Sequence, residues 1–264
     1  MALLETNNIH YVLSGQNTCR QLVSFYIWNT SHNAEVLMKQ FEKICTRAPI
    51  VSVEYSASEL ANARLLMMTP RRQNIDIVNE SEAYVYSCER VDAFGITRVG
   101  HREQCQLFVI AKEPSMKTKT AFWTESTGFS EIFTKQSVYE LVNENNLSGI
   151  EFKNVMMRNG NYSANEFQLT SKNKIDAQCI AMGYGERKLH CPICGKQQFF
   201  IDNVYQLHLD FNRIKDQSDL YVTECIFGEG IPSPLYLISQ RFYQLLRENK
   251  LISAVTFSPV VEIN

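Results

Sequence analysis

The sequence predicts an α+β fold built from two related helix–turn–strand units, packed as a compact two-lobed protein. Three observations predict it. Apolar patterns of helical and strand period are interspersed without a regular strand–helix alternation, which argues against a doubly wound sheet. An internal repeat is visible: residues 134–155 read TKQSVYELVNENNLSGIEFKNV and residues 238–260 read ISQRFYQLLRENKLISAVTFSPV. Only 11 glycines and 7 prolines occur, and no Pro/Gly/Ser linker separates domains.

The elements follow in chain order. Strands are expected at 9–14 and 21–28, a helix at 33–47, a strand at 50–55 and a helix at 57–67. Strands are then expected at 74–78, 83–88 and 105–112. In the first copy of the repeat, Val138, Leu141 and Val142 form an i, i+3, i+4 apolar stripe; in the second, Phe242, Leu245 and Leu246 do. Thr134 or Ser137, and Ser239, are candidate N-caps. Asn145–Asn146 and Asn249–Lys250 supply stop chemistry, and Ile150/Phe152 and Val255/Phe257 alternate as half-buried strands. A further strand is expected at 219–226. At an offset of 104, Gln136, Tyr139, Leu141, Glu144, Asn145 and Leu147 match Gln240, Tyr243, Leu245, Glu248, Asn249 and Leu251. One added residue then brings Phe152 and Val155 onto Phe257 and Val260. The repeat divides the chain into an N-terminal unit with an extension, 1–157, and a C-terminal unit, 158–264.

Composition excludes several classes. With 264 residues, 45% hydrophobic and 20% charged, the chain has ordinary globular content, which excludes global disorder. A net charge of −2 offers no basic excess for sequence-independent phosphate binding, so no nucleic-acid partner is expected. No apolar run reaches the roughly 18 residues that span a bilayer, so no membrane association is expected. The opening MALLETNNIHYVL lacks a basic n-region and a long apolar h-region, which predicts no secretory signal. Six of the eight cysteines are scattered singly, as in a reduced cytoplasmic chain. Of the aromatics, Tyr84, Tyr86, Phe108 and Phe200 are read as core rather than as a base-stacking platform.

Cys191-Pro-Ile-Cys194-Gly195 is the sharpest local motif. Two thiolates on a turn whose glycine permits positive φ can face one zinc ion. A structural zinc needs four ligands, and His190, Cys179, His208 and Cys225 are the candidates to complete the set. A thioredoxin-like role would need a helix after Cys194, whereas Gly-Lys-Gln-Gln-Phe-Phe-Ile reads as a strand. A second arrangement joins His101-Arg-Glu103 to the CxxC, as zinc deaminases join His-x-Glu to Pro-Cys-x-x-Cys. Here the proline lies between the cysteines and a strand-like run follows Glu103, which argues for a charged loop instead. No Gly-x-Ser-x-Gly, His-Glu-x-x-His or Walker loop is present, so no enzyme is expected. Acidic residues gather between 202 and 229, and Asp210, Asp216, Asp219 and Glu224 are the expected face for a protein partner.

The stretch from Cys191-Pro-Ile-Cys194-Gly195 through Asp219-Leu-Tyr to Tyr236-Leu-Ile-Ser-Gln-Arg-Phe-Tyr-Gln-Leu-Leu and Val255-Thr-Phe257 resembles the bacterial double-CXXCG family. Members of that family include immunity proteins of polymorphic toxin systems. The family's first CxxCG is absent here; Cys88, in Tyr-Ser-Cys-Glu-Arg, stands near the place that the repeat offset predicts, without a partner cysteine. The resemblance implies a cytoplasmic immunity protein that neutralises a cognate toxin by tight binding. It carries no catalytic residues. The alternative is a zinc-knuckle metalloprotein, either an enzyme or a nucleic-acid module.

Overall fold

The computed structural model describes residues 11–14, 22–25, 55–73, 75–86, 88, 90–91, 97–98, 101–114, 120–125, 131–180, 187–191, 193–200, 207–214, 216–227 and 233–263. The chain divides into two compact units, Met1–Ser52 and Val53–Asn264. In the first, β1 (Tyr11–Ser14) and β2 (Leu22–Phe25) pair antiparallel. The helix expected at 33–47 and most of the strand at 50–55 lie outside the described residues.

The second unit is α+β. It opens with α1 (Ala57–Asn62), β3 (Leu65–Pro70), β4 (Arg72–Gln73), α2 (Glu80–Ala83), β5 (Tyr84–Tyr86), β6 (Arg90–Val91) and β7 (Thr97–Arg98). Next come β8 (Arg102–Gln104), β9 (Val109–Ile110), β10 (Phe122–Glu125), β11 (Ile132–Lys135), α3 (Gln136–Glu144) and β12 (Ile150–Met157). A second series follows: β13 (Tyr162–Ser171), β14 (Lys174–Ile175), β15 (Arg187–His190), β16 (Gln197–Phe200), β17 (His208–Leu209), β18 (Leu220–Thr223) and β19 (Ile226–Phe227). It closes with β20 (Tyr236–Ser239), α4 (Gln240–Glu248), β21 (Val255–Pro259) and β22 (Val261–Glu262).

The repeat is far longer than the sequence shows, because the two series match in backbone pairing. The first large sheet has the order β4-β10-β11-β13-β12-β9 and the second β14-β18-β20-β3-β21. Phe133 faces Gln168 between β11 and β13 as Leu237 faces Met67 between β20 and β3. Phe152 faces Leu169 as Phe257 faces Met68. Thus β3, from the first copy, lies in the sheet of the second, while β13 lies in the sheet of the first. Each chain segment then crosses back: Arg72 pairs with Thr124 beside β10, and Lys174 pairs with Val222 beside β18, both in parallel. The outer ladder is also duplicated. Met156 and Arg158 donate to the carbonyls of Phe108 and Ile110, as Val261 and Ile263 donate to those of Leu207 and Leu209. Both helix–strand turns need two left-handed residues, Asn146 and Gly149 in one, Lys250 and Ala254 in the other.

Burial explains the exchange. Side chains alternate along β3, so Leu66 and Met68 enter one core and Leu65 and Met67 another. The first core is shared by α3, α4 and one face of both sheets, with Phe122, Leu141, Leu169, Phe242 and Leu246 among its members. The opposite faces carry separate cores with matched residues: Trp123, Phe133, Phe108, Ile110 and Val155 in one, Tyr221, Leu237, Leu207, Leu209 and Val260 in the other. A strand buried on both faces reads as a continuous apolar run, which is what Leu65-Leu-Met-Met68 is.

The division at 157/158 falls in the turn of the β12–β13 hairpin, whose strands pair from Ile150–Ser171 to Met156–Tyr162. Several expectations for single elements are corrected. The helix expected over 57–67 ends at Asn62, because its final residues pair between β20 and β21. Its start is a Ser56–Glu59 capping box. Of the strand expected at 105–112 only β9 forms, and Ile77 makes a single bridge to Ile110 where a strand was expected at 74–78. Ser239 caps α4 by accepting from the Phe242 N–H. The N-cap of α3 is Lys135, whose side chain makes no capping bond, while Thr134 is buried and donates to the Ala121 carbonyl.

Candidate metal centre

Two small hairpins project the sulfur and imidazole groups. One pairs β5 with β8 and belongs to the first copy; the other pairs β15 with β16 and belongs to the second. Cys88 follows β5 and His101 precedes β8; Cys191 follows β15 and Cys194 precedes β16. The ligand atoms of Cys88, His101, Cys191 and Cys194 all lie within 4.8 Å of one another. Cys88, His101 and Cys191 are buried and Cys194 is partly exposed.

The knuckle is set by its backbone. Gly195 N–H donates to the Cys191 carbonyl at 2.9 Å, and Cys191 N–H donates to the Lys196 carbonyl at 2.9 Å. Gly195 has φ +72°, where a side chain would be strained. On the opposing hairpin the His101 N–H donates to the Cys88 sulfur at 3.3 Å. The sulfurs of Cys191 and Cys194 stand 3.5 and 3.8 Å from that of Cys88. Two thiolates sharing a tetrahedral zinc ion with bonds of ~2.3 Å stand ~3.8 Å apart, so these separations fit. His101 Nδ1 lies 2.7 Å from Cys194 Sγ, and this pair must open by under about 1 Å to admit an ion between them. The three cysteines and one histidine are a donor set of structural zinc sites.

Local electrostatics favours sulfur ligation at the knuckle. Burial opposes ionisation of Cys191, but the N–H groups of Cys194 and Ile193 and the neighbouring thiols outweigh it and bring the group down to about 7. Burial holds Cys88 up at about 11 against the His101 N–H, and the thiols of Cys191 and Cys194 add to the rise. A bound cation would hold both as thiolates.

Around the centre, Arg102, next to His101, is packed over the Tyr84 ring at 4.1 Å and stands 3.7 Å from Glu131. This anchors β8 against the start of β11. Lys196 donates to Glu103 at 2.7 Å, linking the two hairpins at the surface.

The structure therefore keeps Cys191 and Cys194 together and corrects the partners. Cys179 and Cys225 are buried in the core behind the second sheet. His208 lies in β17 opposite Val261, and exposed His190 is 2.9 Å from Gln197. His101 does join the CxxC, but Glu103 points to Lys196 and a third cysteine closes the set, unlike the deaminase arrangement. The missed ligands had a signal in the duplicated hairpins. Cys88 is the counterpart of Cys191, and His101 takes the place before the return strand that Cys194 has in the other copy. Twelve residues separate Cys88 from His101, against two between Cys191 and Cys194, so no CxxC spacing marks the first pair.

The four acidic residues expected to face a partner differ in burial. Asp216 and Glu224 are exposed. Asp210 is half-buried, caps a short 3-10 turn and pairs with Arg213 at 3.0 Å. Asp219 is buried; its carboxylate accepts from Ser148 N–H at 2.8 Å and from the Ser239 hydroxyl at 2.7 Å. Of the aromatics, Tyr84 and Phe108 are core, whereas Tyr86 is exposed.

No known family model, curated protein or solved structure matches the chain. No helix among the described residues is long and apolar enough to cross a membrane.

Proposed function

We propose that the chain is a non-enzymatic binding protein, braced by a structural zinc ion, that neutralises a cognate bacterial toxin in the cytoplasm by association. The observation that carries the structural half is the cross-copy cluster of Cys88, His101, Cys191 and Cys194. Four protein ligands fill a tetrahedral ion and leave no open position for substrate or activated water. When bound, zinc supplies a cross-link; Cys88 and His101 hold it from one hairpin, Cys191 and Cys194 from the other. The toxin as partner rests on the family resemblance of the C-terminal copy. A second candidate ligand pair in the first copy, Cys88 and His101, near the place that the repeat offset gives for the family's first CxxCG, supports that reading. Asp216 and Glu224 remain the acidic contacts of choice, being exposed.

The test has two arms. Elemental analysis of the purified chain should find one zinc per chain, lost in Cys88→Ser and Cys191→Ser. Co-purification from the native host should recover a stoichiometric protein that is toxic when expressed alone. Recovery of zinc with bound nucleic acid or a metal-dependent activity would instead favour the zinc-knuckle module or enzyme.

A further inference from the structure

We propose that Cys194 is an oxidation site, and that a hydroperoxide converts the metal clasp into a Cys88–Cys194 disulfide between the same two hairpins. The proposal rests on the metal reading above and adds a regulation to that site. Three observations carry it. Cys194 is the partly exposed member of the cluster, beside Ile193, which is 64% exposed at the tip of the knuckle, so an oxidant reaches this sulfur first. The Cys88 sulfur, buried on the opposing hairpin, is 3.8 Å from it. The Cys191 sulfur accepts from two N–H groups of its own knuckle, those of Ile193 and Cys194, whereas the Cys88 sulfur accepts from one, that of His101, so Cys88 is the less tethered of the two.

The chemistry balances with the oxidant alone. The Cys194 thiolate attacks the terminal oxygen of ROOH; the O–O bond breaks, RO⁻ leaves and takes a proton as ROH, and a sulfenic acid remains. The Cys88 thiolate attacks that sulfur; the S–S bond forms, the S–O bond breaks, and hydroxide leaves and takes a proton as water. Two thiolates lose two electrons, and the peroxide is reduced to ROH and water. The ion loses two of its sulfur ligands and is released. Because Cys88 belongs to the first copy and Cys194 to the second, the new bond keeps the hairpins tied where the metal tied them. The Lys196–Glu103 ion pair links the two hairpins during the exchange, and the packing of Arg102 over Tyr84 holds β8 against β5 within the first.

The experiment is hydrogen peroxide titration of the full chain, with zinc measured before and during oxidation by a chromophoric chelator, and disulfides mapped by non-reducing peptide mass spectrometry. The expected result is one zinc released per Cys88–Cys194 disulfide, reversed by dithiothreitol with zinc, and a far-UV spectrum unchanged throughout. Cys88→Ser should instead accumulate sulfinic or sulfonic acid at Cys194. A Cys191–Cys194 disulfide, or irreversible oxidation of the wild type with no disulfide, overturns the proposal. A chain that carries no metal before oxidation overturns the metal reading alone, and the disulfide map then still decides the oxidation step.

Discussion

Replacing Asp219 separates a structural residue from an interface residue. Its carboxylate receives the Ser148 N–H at 2.8 Å, the Ser148 hydroxyl at 3.3 Å and the Ser239 hydroxyl at 2.7 Å, with Arg241 at 3.6 Å. Ser148 lies in the turn after α3 and Ser239 caps α4, so one side chain joins the two copies. The matching position in the first copy is Ala121, whose carbonyl accepts from Lys135 as that of Asp219 accepts from Ser239. Hydrogen bonds to a charged acceptor are worth about 1.5–3 kcal/mol each, and a buried donor left without a partner costs about 1–3 kcal/mol. Two short bonds lost together put Asp219→Ala at ~3–5 kcal/mol of destabilisation; the half-exposed Arg241 pair adds little. Asp219→Asn keeps one acceptor and should cost ~1–2 kcal/mol. Urea unfolding should show a lower midpoint at unchanged slope. A loss below ~1 kcal/mol for the alanine variant would refute the reasoning. So would weakened partner binding without a midpoint shift, which would return Asp219 to the interface.

Further outcomes are expected elsewhere. Burial raises the Glu166 carboxyl from 4.5 to about 7, against the Trp123 indole N–H at 2.9 Å. Between these values the folded state keeps a proton that the unfolded chain has lost, so stability falls as pH rises through this window, by ~3 kcal/mol in total. Glu166→Gln should flatten that part of a pH series of urea midpoints. Ala254 holds φ +65°, so Ala254→Gly should raise stability by ~0.5–1 kcal/mol, read as a higher melting temperature. A Cβ on Gly149 would stand 1.8 Å from Ser218 Oγ, so Gly149→Ala should cost more than ~2 kcal/mol in the same assay. His101→Ala should weaken zinc binding in competition with a chelator at least tenfold, and chelation should lower the melting temperature of the wild type.

What was legible in the sequence followed from local chemistry. The stripes of α3 and α4, the Ser239 cap and the CxxC knuckle each depend on residues within a few positions of one another. The exchanged strands did not show, because β3 and β13 share burial rather than identity: Met67 takes the place of Gln168, and Met68 that of Leu169. The Leu65–Met68 run reads as the end of a helix until two neighbouring strands, distant in sequence, are placed beside it. The acidic segment misled for a related reason. A carboxylate that caps or bridges, as Asp210 and Asp219 do, has the same composition as one facing solvent, and only the fold separates them.

The duplication accounts for why the candidate metal ligands are so unevenly marked. Two copies that exchange strands share one inner core, so neither can open without disturbing the other's sheet. The small hairpins lie outside that core, each paired within itself. A shared ion is the economical cross-link for such a pair, since it needs only two donors from each hairpin and tolerates any loop length between them. The second copy carries both cysteines on a two-residue turn. The first carries Cys88 and draws His101 from the far side of the β6–β7 excursion, where backbone pairing of Arg90 with Arg98 brings the ends of the longer loop together. A centre of this kind depends on the position of a donor atom, not on its spacing in the chain, so a search for CxxC repeats sees half of it. The uneven pair predicts its own control: His101→Cys should retain zinc where His101→Ala loses it, whereas equal loss in both would mean that His101 serves packing and not the ion.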